Sequence, residues 1–382
     1  MDIAIIGASY LQLPLILKAK ELGLTTHVFA WECGDVGEIE ADFFYPISIV
    51  DKDEILDKCQ EIGIDGICSI ASDLAVITVC YVAEKMGLTG NGISGSLTAT
   101  NKHLMKEALV KSNVPTAKFR LTDGTDAVDI TGLNYPLIVK PTDRSGSRGV
   151  TRINGPEEDI SSAIARAVDQ SFEKKALVEE YVFGKEYSVE CISYQGKHTL
   201  LAVTEKFTTG DPHYIETGHL EPAGLSNTQL KEVEKIVFAG LDALGVRSGA
   251  SHSELKISGD KISMIEIGAR MGGDKIGSTL VELSTGYDFV KAVIDISLGR
   301  QPEGYSGLTV KNAAIRYIMD ENGMDCLKTI KRDFPEILYE ADDSYISKED
   351  VTDSSTRKGY FIISSDDRAL IDRFMPERNV DS

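Results

Sequence analysis

The sequence of 382 residues is too long for a single ordinary hydrophobic core, so we expect two or three domains. Its composition, 42% hydrophobic and 26% charged residues, is typical of a soluble globular protein. The formal net charge of −20 argues against nucleic acid and against an anionic membrane surface as partners. A phosphate-bearing ligand would therefore need a local group of basic residues placed beside glycines.

The first residues and the cysteines indicate the cellular compartment in which the protein is expected. Residues 1–7 lack a basic leader and predict a strand instead of a signal peptide, and no apolar run approaches the ~20 residues that cross a bilayer. Six scattered cysteines without a CxxC pair argue against a disulfide scaffold and against a zinc site. We therefore expect a cytoplasmic protein with no membrane partner.

The first hundred residues alternate short apolar runs with helical patterns. Strands are predicted at residues 2–7, 27–30 and 66–70, and helices near residues 12–22, 53–62 and 73–86. This rhythm predicts a Rossmann-like parallel sheet, which we assign to an N-terminal domain of residues 1–98. The first turn, from Gly7 to Gln12, does not match GxGxxG, so a packing scaffold is preferred over the alternative of an NAD-dependent dehydrogenase.

Residues 99–185 change to an α+β pattern. We predict a helix over 98–113 with Thr98 or Thr100 as its cap, strands at 135–141, 150–153 and 176–181, and a helix over 156–170. The glycine- and serine-rich residues 143–149 separate two of these strands and predict a mobile loop. We interpret this unit as a lid subdomain with an entry helix.

The remainder divides into a central and a C-terminal part. For residues 186–307 we predict antiparallel strands at 186–194 and 199–205, helices at 227–244 and 288–298, and a β-hairpin of residues 250–257 and 261–268. Residues 308–382 form a smaller C-terminal subdomain that includes a strand near 359–363. The sequence indicates no chemistry for this segment, which we expect to shape the pocket or a dimer contact.

The hairpin carries one acid on each strand. Folding about Gly259 brings Glu254 and Glu266 nearly opposite, and the pleat can place both carboxylates on one face. Mg²⁺ suits such a pair, since it takes one or two carboxylates plus substrate phosphates. The alternative is a cross-strand pair in which one acid is protonated or both side chains point into water.

Arg270 follows Glu266 by four residues, which returns it to the same face of an extended strand. A guanidinium beside a metal can bridge a transferring phosphoryl group and a carboxylate oxygen. The alternative is a salt bridge to Glu266. Gly272 and Gly273 would then let the backbone approach a ligand closely.

Two further segments suit a nucleotide. Lys140 precedes the loop of residues 143–149, whose small residues free backbone N–H groups for phosphate oxygens, although a plain hairpin connection is equally consistent. The loop does not match GxxxxGK[ST] and is not a Walker P-loop. Residues 177–186 form an apolar strand and connector that can offer backbone groups to an adenine edge, with Glu186 accepting from ribose hydroxyls, or can serve as an inter-domain hinge.

In this order and spacing the motifs resemble the ATP-grasp superfamily, from residue 1 to about residue 300. That family includes biotin carboxylase, carbamoyl-phosphate synthetase and many peptide-forming ligases. The resemblance implies ATP and Mg²⁺ or Mn²⁺ as cofactors, metal binding by Glu254 and Glu266, and catalytic roles for Arg270 and Lys140. It also implies a nucleotide site formed by Lys102, Lys140, Ser145, Gly146, Ser147, Glu179, Glu180, Val182 and Glu186.

One position departs from the family pattern. The usual closing motif is Glu-x-Asn-x-Arg, and this chain has Gly268 in place of the asparagine. An ion there would rely on water, on bridging by Glu266 or on Asp274. The variant is similar to glycine or alanine variants among L-amino acid ligases, so activity is expected, with loss of activity as the alternative.

A finer resemblance concerns the substrate. Residues 204–223 are similar to a substrate loop of L-amino acid (dipeptide-forming) ligases, and His252 lies two residues before the first metal acid. The alternative is an ordinary long loop with surface histidines. The resemblance implies these substrate contacts: Lys206, His213, Glu216, His219, His252, Gly272 and Gly273.

The resulting prediction is an ATP-dependent carboxylate–amine ligase that forms an amide through an acyl-phosphate, with a small-molecule acid and amine as substrates. Two alternatives remain. One is a purine- or carbamoyl-type or carboxylase-like enzyme acting on bicarbonate, formate or a sugar amine. The other is an ATP-binding regulatory protein without turnover. The oligomeric state stays open, with a homodimer among the options.

Overall fold

A computed structural model describes residues 1–211, 214–307, 311–344, 351, 353–354 and 356–377. It has the predicted mixed α/β architecture, with one parallel and two antiparallel sheets. Within the described residues, no helix combines the length and the apolar character needed to cross a membrane.

The N-terminal sheet is parallel, as predicted, with strand order β3-β2-β1-β4. Its strands are β1 (Asp2–Ile6), β2 (Thr25–Phe29), β3 (Phe43–Tyr45) and β4 (Gly66–Cys68). Its helices are α1 (Leu13–Glu21), α2 (Val36–Glu40), α3 (Lys52–Ile62) and α4 (Asp73–Met86). The edge strand β3 and helix α2 were not predicted, because three and five residues are too short to show a period.

The predicted single helix over residues 98–113 is wrong. The chain forms α5 (Ile93–Thr100) and α6 (Lys102–Lys111), which meet at an extended Asn101. The Asn101 side chain accepts from two N–H groups at the start of α6 and is therefore its cap, in place of Thr98 or Thr100. Lys102 thus opens a new helix, and its backbone N–H donates to Thr142 O at 2.7 Å.

The lid unit is a four-stranded antiparallel sheet covered by one helix. The strand order is β5-β8-β6-β7, and the strands are β5 (Phe119–Thr122), β6 (Leu137–Pro141), β7 (Thr151–Ile153) and β8 (Ala176–Glu180). Helix α7 (Ile160–Gln170) begins four residues later than predicted, because Asp159 caps it by accepting from the Ser162 N–H. Buried Leu137, Val139 and Ile164 form the core between this helix and the sheet.

The third sheet has eight antiparallel strands in the order β13-β12-β9-β10-β11-β14-β16-β15. Its strands are β9 (Lys185–Tyr194), β10 (Lys197–Thr208), β11 (Glu216–Glu221), β12 (Gly249–Ser258), β13 (Lys261–Gly268), β14 (Asn312–Tyr317), β15 (Leu338–Asp342) and β16 (Tyr360–Ser365). The associated helices are α8 (Asn227–Leu244), α9 (Val281–Thr285), α10 (Phe289–Ser297), α11 (Glu321–Asp333) and α12 (Arg368–Asp372). A π-helical turn at Ile276–Leu280 leads into α9, and a 3₁₀ turn spans Pro335–Ile337.

Two sequence interpretations change with this topology. Residues 204–223 are mostly β10 and β11, which pair with each other, so they form a hairpin and not a long loop. The C-terminal strands β14, β15 and β16 continue the central sheet. The proposed boundaries at residues 98, 185 and 307 stay a prediction.

The N-terminal and central sheets share one hydrophobic core. The buried helix α10 packs between them, and its residues Phe289 and Val293 belong to the same cluster as Ile5 of β1 and Ile192 of β9. A shared core fixes the C-terminal edge of the parallel sheet against the central sheet. This edge is where ligands bind in open α/β folds.

Candidate active site

A cleft between the lid sheet and the central sheet collects most of the predicted site. The predicted residues that line it are Lys102, Lys140, Ser145, Gly146, Ser147, Glu179, Glu180, Val182, Glu186, Lys206, Glu216, His252, Glu254, Glu266 and Arg270. His219, Gly272 and Gly273 are not among the described residues that line this cleft. His213 lies outside the described residues.

The two hairpin acids are arranged as predicted. Glu254 on β12 is the register partner of Glu266 on β13. Lys206 Nζ lies 2.6 Å from Glu254 Oε1, and Lys102 Nζ lies 2.7 Å from Glu266 Oε1. The repulsion between the acids is therefore offset by two ammonium groups that come from different elements.

Glu254 is held in its ionised form. Burial would raise the pKa of Glu254, but Lys206 and His252 together hold it well below its usual range. The alternative of a pair in which Glu254 carries a proton is therefore not supported.

This donor set fits a divalent cation that arrives with a nucleotide. Two opposed carboxylates provide hard oxygen ligands, and Mg²⁺ commonly takes its remaining ligands from phosphates and water. Among the described residues there is no group of three or more His, Cys, Asp or Glu side chains that could hold a metal. Two carboxylates alone leave most positions around an ion open for phosphate and water.

Lys140 is fixed by a buried triplet of charges. Glu179 Oε1 lies 2.5 Å from Lys140 Nζ, and Glu179 Oε2 lies 2.8 Å from Lys106 Nζ. Burial would raise the pKa of Glu179, but the two lysines lower it to about 2. The Glu179 carboxylate therefore holds Lys140 in place. For Glu179 itself, only the backbone is left to make the predicted nucleotide contact.

Glu180 is also committed within the lid. Its Oε1 accepts from the backbone N–H of Asn134 at 3.0 Å and from Asn134 Nδ2 at 2.8 Å. For Glu180 too, the backbone is therefore the part left to make the predicted nucleotide contact.

Lys106 was not identified from the sequence. It lies one helical turn after Lys102 on α6 and could have been found from that spacing.

The loop between β6 and β7 has the turned backbone expected of a phosphate-wrapping segment. Gly146, Ser147 and Gly149 all adopt left-handed φ values, of 69°, 59° and 71°. Lys102 Nζ donates to Arg144 O at 2.7 Å, which ties this loop to the helix that also reaches Glu266. The loop, the two acids and Lys102 therefore form one connected structure.

Lys206 stands among three acids. Its Nζ lies 2.6 Å from Glu254, 2.9 Å from Glu186 and 3.6 Å from Glu216. Burial would lower the pKa of Lys206, but the three carboxylates raise it well above its usual range. Glu186, the predicted ribose acceptor, thus lies in the cleft and shares Lys206 with the hairpin acid Glu254.

Arg270 reaches the cleft by a different route from the one predicted. Strand β13 ends at Gly268, so the spacing along an extended strand does not apply. The guanidinium binds Asp73 on α4, with Nε 2.8 Å from Oδ1 and Nη2 3.1 Å from Oδ2. Arg270 and Glu266 nevertheless line the same cleft. The ion pair of Arg270 is with Asp73, and a salt bridge to Glu266, the alternative, is not observed among the described residues.

Asp73 was not identified from the sequence. It is the first residue of α4, after Ser72, whose hydroxyl caps the helix by accepting from the Ala75 N–H. It follows β4 at the carboxyl edge of the parallel sheet, the position at which such folds bind ligands, and that position was the available signal.

Comparison with known proteins agrees with this geometry. Residues 133–278 match the family model described as ATP-grasp domain. Over these residues the chain is similar to ATP-grasp proteins.

Its relatives include amino-acid ligases. Alanine–anticapsin ligase of Bacillus subtilis (strain 168) is 26% identical over 293 residues, which are 67% of this chain and 61% of that protein. D-alanine–D-alanine ligase of Haemophilus ducreyi is 28% identical over 232 residues, 58% of this chain and 75% of that protein. The chain spans 61–64% of the length of the alanine–anticapsin ligases that it matches.

Solved structures share the whole fold. L-amino acid ligase from Bacillus licheniformis is similar with a TM-score of 0.80 and 23% identity, over 98% of this chain and 95% of that chain. Phosphoribosylglycinamide synthetase from Anaerococcus prevotii has a TM-score of 0.76 and 19% identity, over 97% and 96%. At these identities the likeness shows the fold alone.

Beside the hairpin acids, the segment that matches the family model carries a buried Glu190–His252 pair. His252 Nδ1 hydrogen-bonds Glu190 Oε1, and His252 Nε2 lies 3.5 Å from Glu254 Oε1. Burial would lower the pKa of His252, but Glu190 raises it to about 9. The Gly272 N–H donates to Glu190 Oε2 at 2.9 Å, and a Cβ at Gly272 would lie only 2.6 Å from Glu190 Oε1. Gly272 is therefore required by close packing.

A second polar cluster joins the C-terminal segment to the segment that matches the family model. Arg357 Nη2 donates to Asp274 Oδ1 at 2.6 Å, and Arg357 Nη1 donates to Glu216 O at 2.9 Å. His219 Nε2 lies 3.3 Å from Asp274 Oδ2. Asp274 is thus paired with Arg357 and His219 and is not among the described residues of the cleft, contrary to its expected metal role. Arg357 comes from the C-terminal segment, for which the sequence indicated no chemistry, and it supplies the charge that pairs with Asp274.

Proposed function

We propose that this protein is an ATP-dependent ligase that joins a carboxylate to an amine through an acyl-phosphate and releases ADP and phosphate. Amino acids are the proposed substrates. The observation that carries the proposal is the opposed pair Glu254 and Glu266, flanked by Lys102 and Lys206 in a cleft beneath the lid. The names of the relatives, which are amino-acid ligases, support the substrate class.

ATP would bind between the lid sheet and the central sheet. Lys140 and the backbone N–H groups of residues 145–147 would hold phosphate oxygens, because the buried triplet keeps the Lys140 ammonium in place. The backbone of residues 179–182 would face the adenine, and Glu186 would accept from the ribose.

Glu254 and Glu266 would hold Mg²⁺ or Mn²⁺ together with phosphate oxygens. When bound, such an ion neutralises charge on the phosphates. Lys102 and Lys206 already lie against the two acids, so the negative charge of these carboxylates is offset before the ligand binds.

The reaction would need no nucleophilic side chain. An oxygen of the substrate carboxylate bonds to the γ-phosphorus while the bond to the bridging oxygen of ADP breaks. Lys140, the lid N–H groups and Arg270 would stabilise the charge spread over the transferring phosphoryl group. The substrate amine then attacks the acyl carbon, the carbon–oxygen bond to phosphate breaks, and the nitrogen loses a proton. Closure of the lid over the cleft would keep water from the acyl-phosphate.

We propose substrate contacts for three of the predicted residues. Lys206, Glu216 and His252 line the cleft and can meet a zwitterion. His219, Gly272 and Gly273 are not among the described residues that line it. Gly272 would act indirectly, through its bond to Glu190, the partner of His252.

Phosphate release tests the proposal. The protein, ATP and Mg²⁺ are incubated with amino acids singly and in pairs, and with bicarbonate, formate and a sugar amine. ADP and phosphate should appear only with a suitable acid and amine. AMP and pyrophosphate would refute the mechanism, turnover with bicarbonate, formate or the sugar amine would favour the purine- or carbamoyl-type enzyme, and tight ATP binding without turnover would favour a regulatory protein.

A further inference from the structure

We propose that Asp73 of the N-terminal sheet is a positioning residue that aims Arg270 into the cleft, and that residue 268 is glycine to make room for this pair. The inference rests on the proposed function, in which Arg270 stabilises the transferring phosphoryl group. It assigns to the N-terminal domain a part in the active site and not only a packing role.

The Asp73–Arg270 contact has the geometry of a positioning pair. Both carboxylate oxygens of Asp73 accept from the guanidinium, at 2.8 and 3.1 Å, and Arg270 Nη1 donates to Met271 O at 3.2 Å. A planar guanidinium bound at two nitrogens has its orientation fixed. Three of its five N–H groups are used by these contacts, which leaves one on each terminal nitrogen for a ligand in the cleft.

Asp73 is itself held rigidly. It opens α4, where a negative charge is favoured by the helix N-terminus, and Ser72 caps that helix. The backbone N–H of the neighbouring Ala71 donates to Met271 O at 3.2 Å. The turn between β4 and α4 therefore grips residues 270–271 both through backbone and through side chains.

Gly268 is small because of this pair. A Cβ built on Gly268 would lie 3.2 Å from Asp73 Oδ1 and 3.3 Å from both Cζ and Nε of Arg270. Gly268 is not among the glycines with a left-handed φ, so its backbone does not require glycine. A Cβ at 268 would therefore push the pair by a few tenths of an ångström, and a longer side chain would project towards the carboxylate of Asp73.

This geometry predicts an exchange between two positions. An asparagine at 268 would crowd the pair in the native chain. With Asp73 shortened to alanine, the same asparagine would have room and an amide oxygen with which to accept from Arg270. The carboxylate of Asp73 in the N-terminal domain would then be replaced by the amide of an asparagine at residue 268, at the end of β13.

The test compares Asp73→Ala, Gly268→Asn and the double variant, with Asp51→Ala, an exposed acid just before α3, as the matched control. We expect Asp73→Ala to lower kcat about 100-fold while the Kd for ATP stays within about threefold, since misplacement of a group that acts in the transition state reduces kcat. Gly268→Asn should lower kcat as well. The double variant should recover at least about tenfold over Asp73→Ala, and Asp51→Ala should match the wild type.

Two readouts do not depend on turnover. In a nucleotide-free crystal structure of Asp73→Ala, the Arg270 guanidinium should leave its place, and in the double variant it should return. Should Asp73→Ala unfold, Asp73→Ser, which also removes the carboxylate and shortens the side chain, takes its place in the comparison.

An unchanged kcat in Asp73→Ala, a loss confined to ATP affinity, or a double variant no better than Asp73→Ala would overturn the proposal. If the wild type itself turns over no substrate, the proposed function fails. The position of Arg270 in the Asp73→Ala crystal still decides the positioning role in that case.

Discussion

Glu254 and Glu266 are register partners on adjacent antiparallel strands, and each carboxylate is bound by a lysine from another element. Two acids at this separation repel each other unless positive charge lies near both. Lys102 and Lys206 provide that charge. In the proposed function, a metal ion carried by phosphate would take the place of an ammonium contact.

The first prediction concerns these acids. Glu254→Gln and Glu266→Gln should each lower ADP formation by about 100-fold or more, because an amide is a poorer ligand for a hard cation. The measurement is steady-state ADP release at saturating Mg²⁺ and ATP. Asp260→Asn, in the exposed turn of the same hairpin, should be without effect. Equal activity in the two glutamine variants and the wild type would exclude the metal assignment.

The second prediction concerns the buried triplet. Glu179→Gln leaves Lys106 and Lys140 without their shared carboxylate, and breaking a buried ion pair costs about 3–5 kcal/mol. Urea unfolding should show this loss of stability. The matched control is Glu180→Gln on the next residue, where a glutamine oxygen can still accept from Asn134, and its effect should stay within about 1 kcal/mol. Similar effects at both positions would contradict the proposed difference.

The third prediction concerns pH. Burial raises the pKa of Glu221 to about 8, although Thr204 and Ser284 hydroxyls donate to its two oxygens. In the unfolded chain a glutamate has a pKa of about 4.3, so between these values only the folded state keeps the proton. Stability should therefore fall as pH rises from about 4.3 to about 8.

A Glu221→Gln variant removes this titration. Thermal unfolding from about pH 5 to pH 8 should show the Tm of the variant rising relative to that of the wild type as the pH rises. A difference in Tm that is constant across the series would show that Glu221 does not hold a proton in the folded state.

The fourth prediction concerns the lid loop. Trypsin should cleave after Arg148 in the free protein, and MgADP should slow this cleavage about tenfold, because bound phosphates would order the loop. Cleavage after exposed Lys197, the first residue of β10 after its turn from β9, serves as the internal control and should keep its rate. Equal protection at both sites would indicate global stabilisation and not lid binding.

Local sequence signals predicted the part of the site that lies on one hairpin. The turn at Gly259 and the alternation of apolar residues on both sides of it gave the register that places Glu254 opposite Glu266. Helix α8 was predicted with its observed bounds, because Ser226 and Gln229 form a capping box before a clear helical period.

The errors arose where contacts link distant parts of the chain. Arg270 was placed by strand periodicity, but β13 ends two residues earlier, and its partner Asp73 lies 197 residues away. Arg357 was missed for the same reason, since its partner Asp274 lies 83 residues away. The break at Asn101 was local, but the helical period on both sides of it concealed a cap that the side chain alone supplies.

The acyl-phosphate is the central claim, and oxygen transfer tests it most directly. The protein is incubated with ATP, Mg²⁺, an amine and an amino acid labelled with ¹⁸O in its carboxylate, and the released phosphate is examined by mass spectrometry. Because the carboxylate oxygen bonds to the γ-phosphorus and later leaves with it, the phosphate should carry one ¹⁸O for each amide formed. Unlabelled phosphate, or label recovered in AMP, would contradict the account.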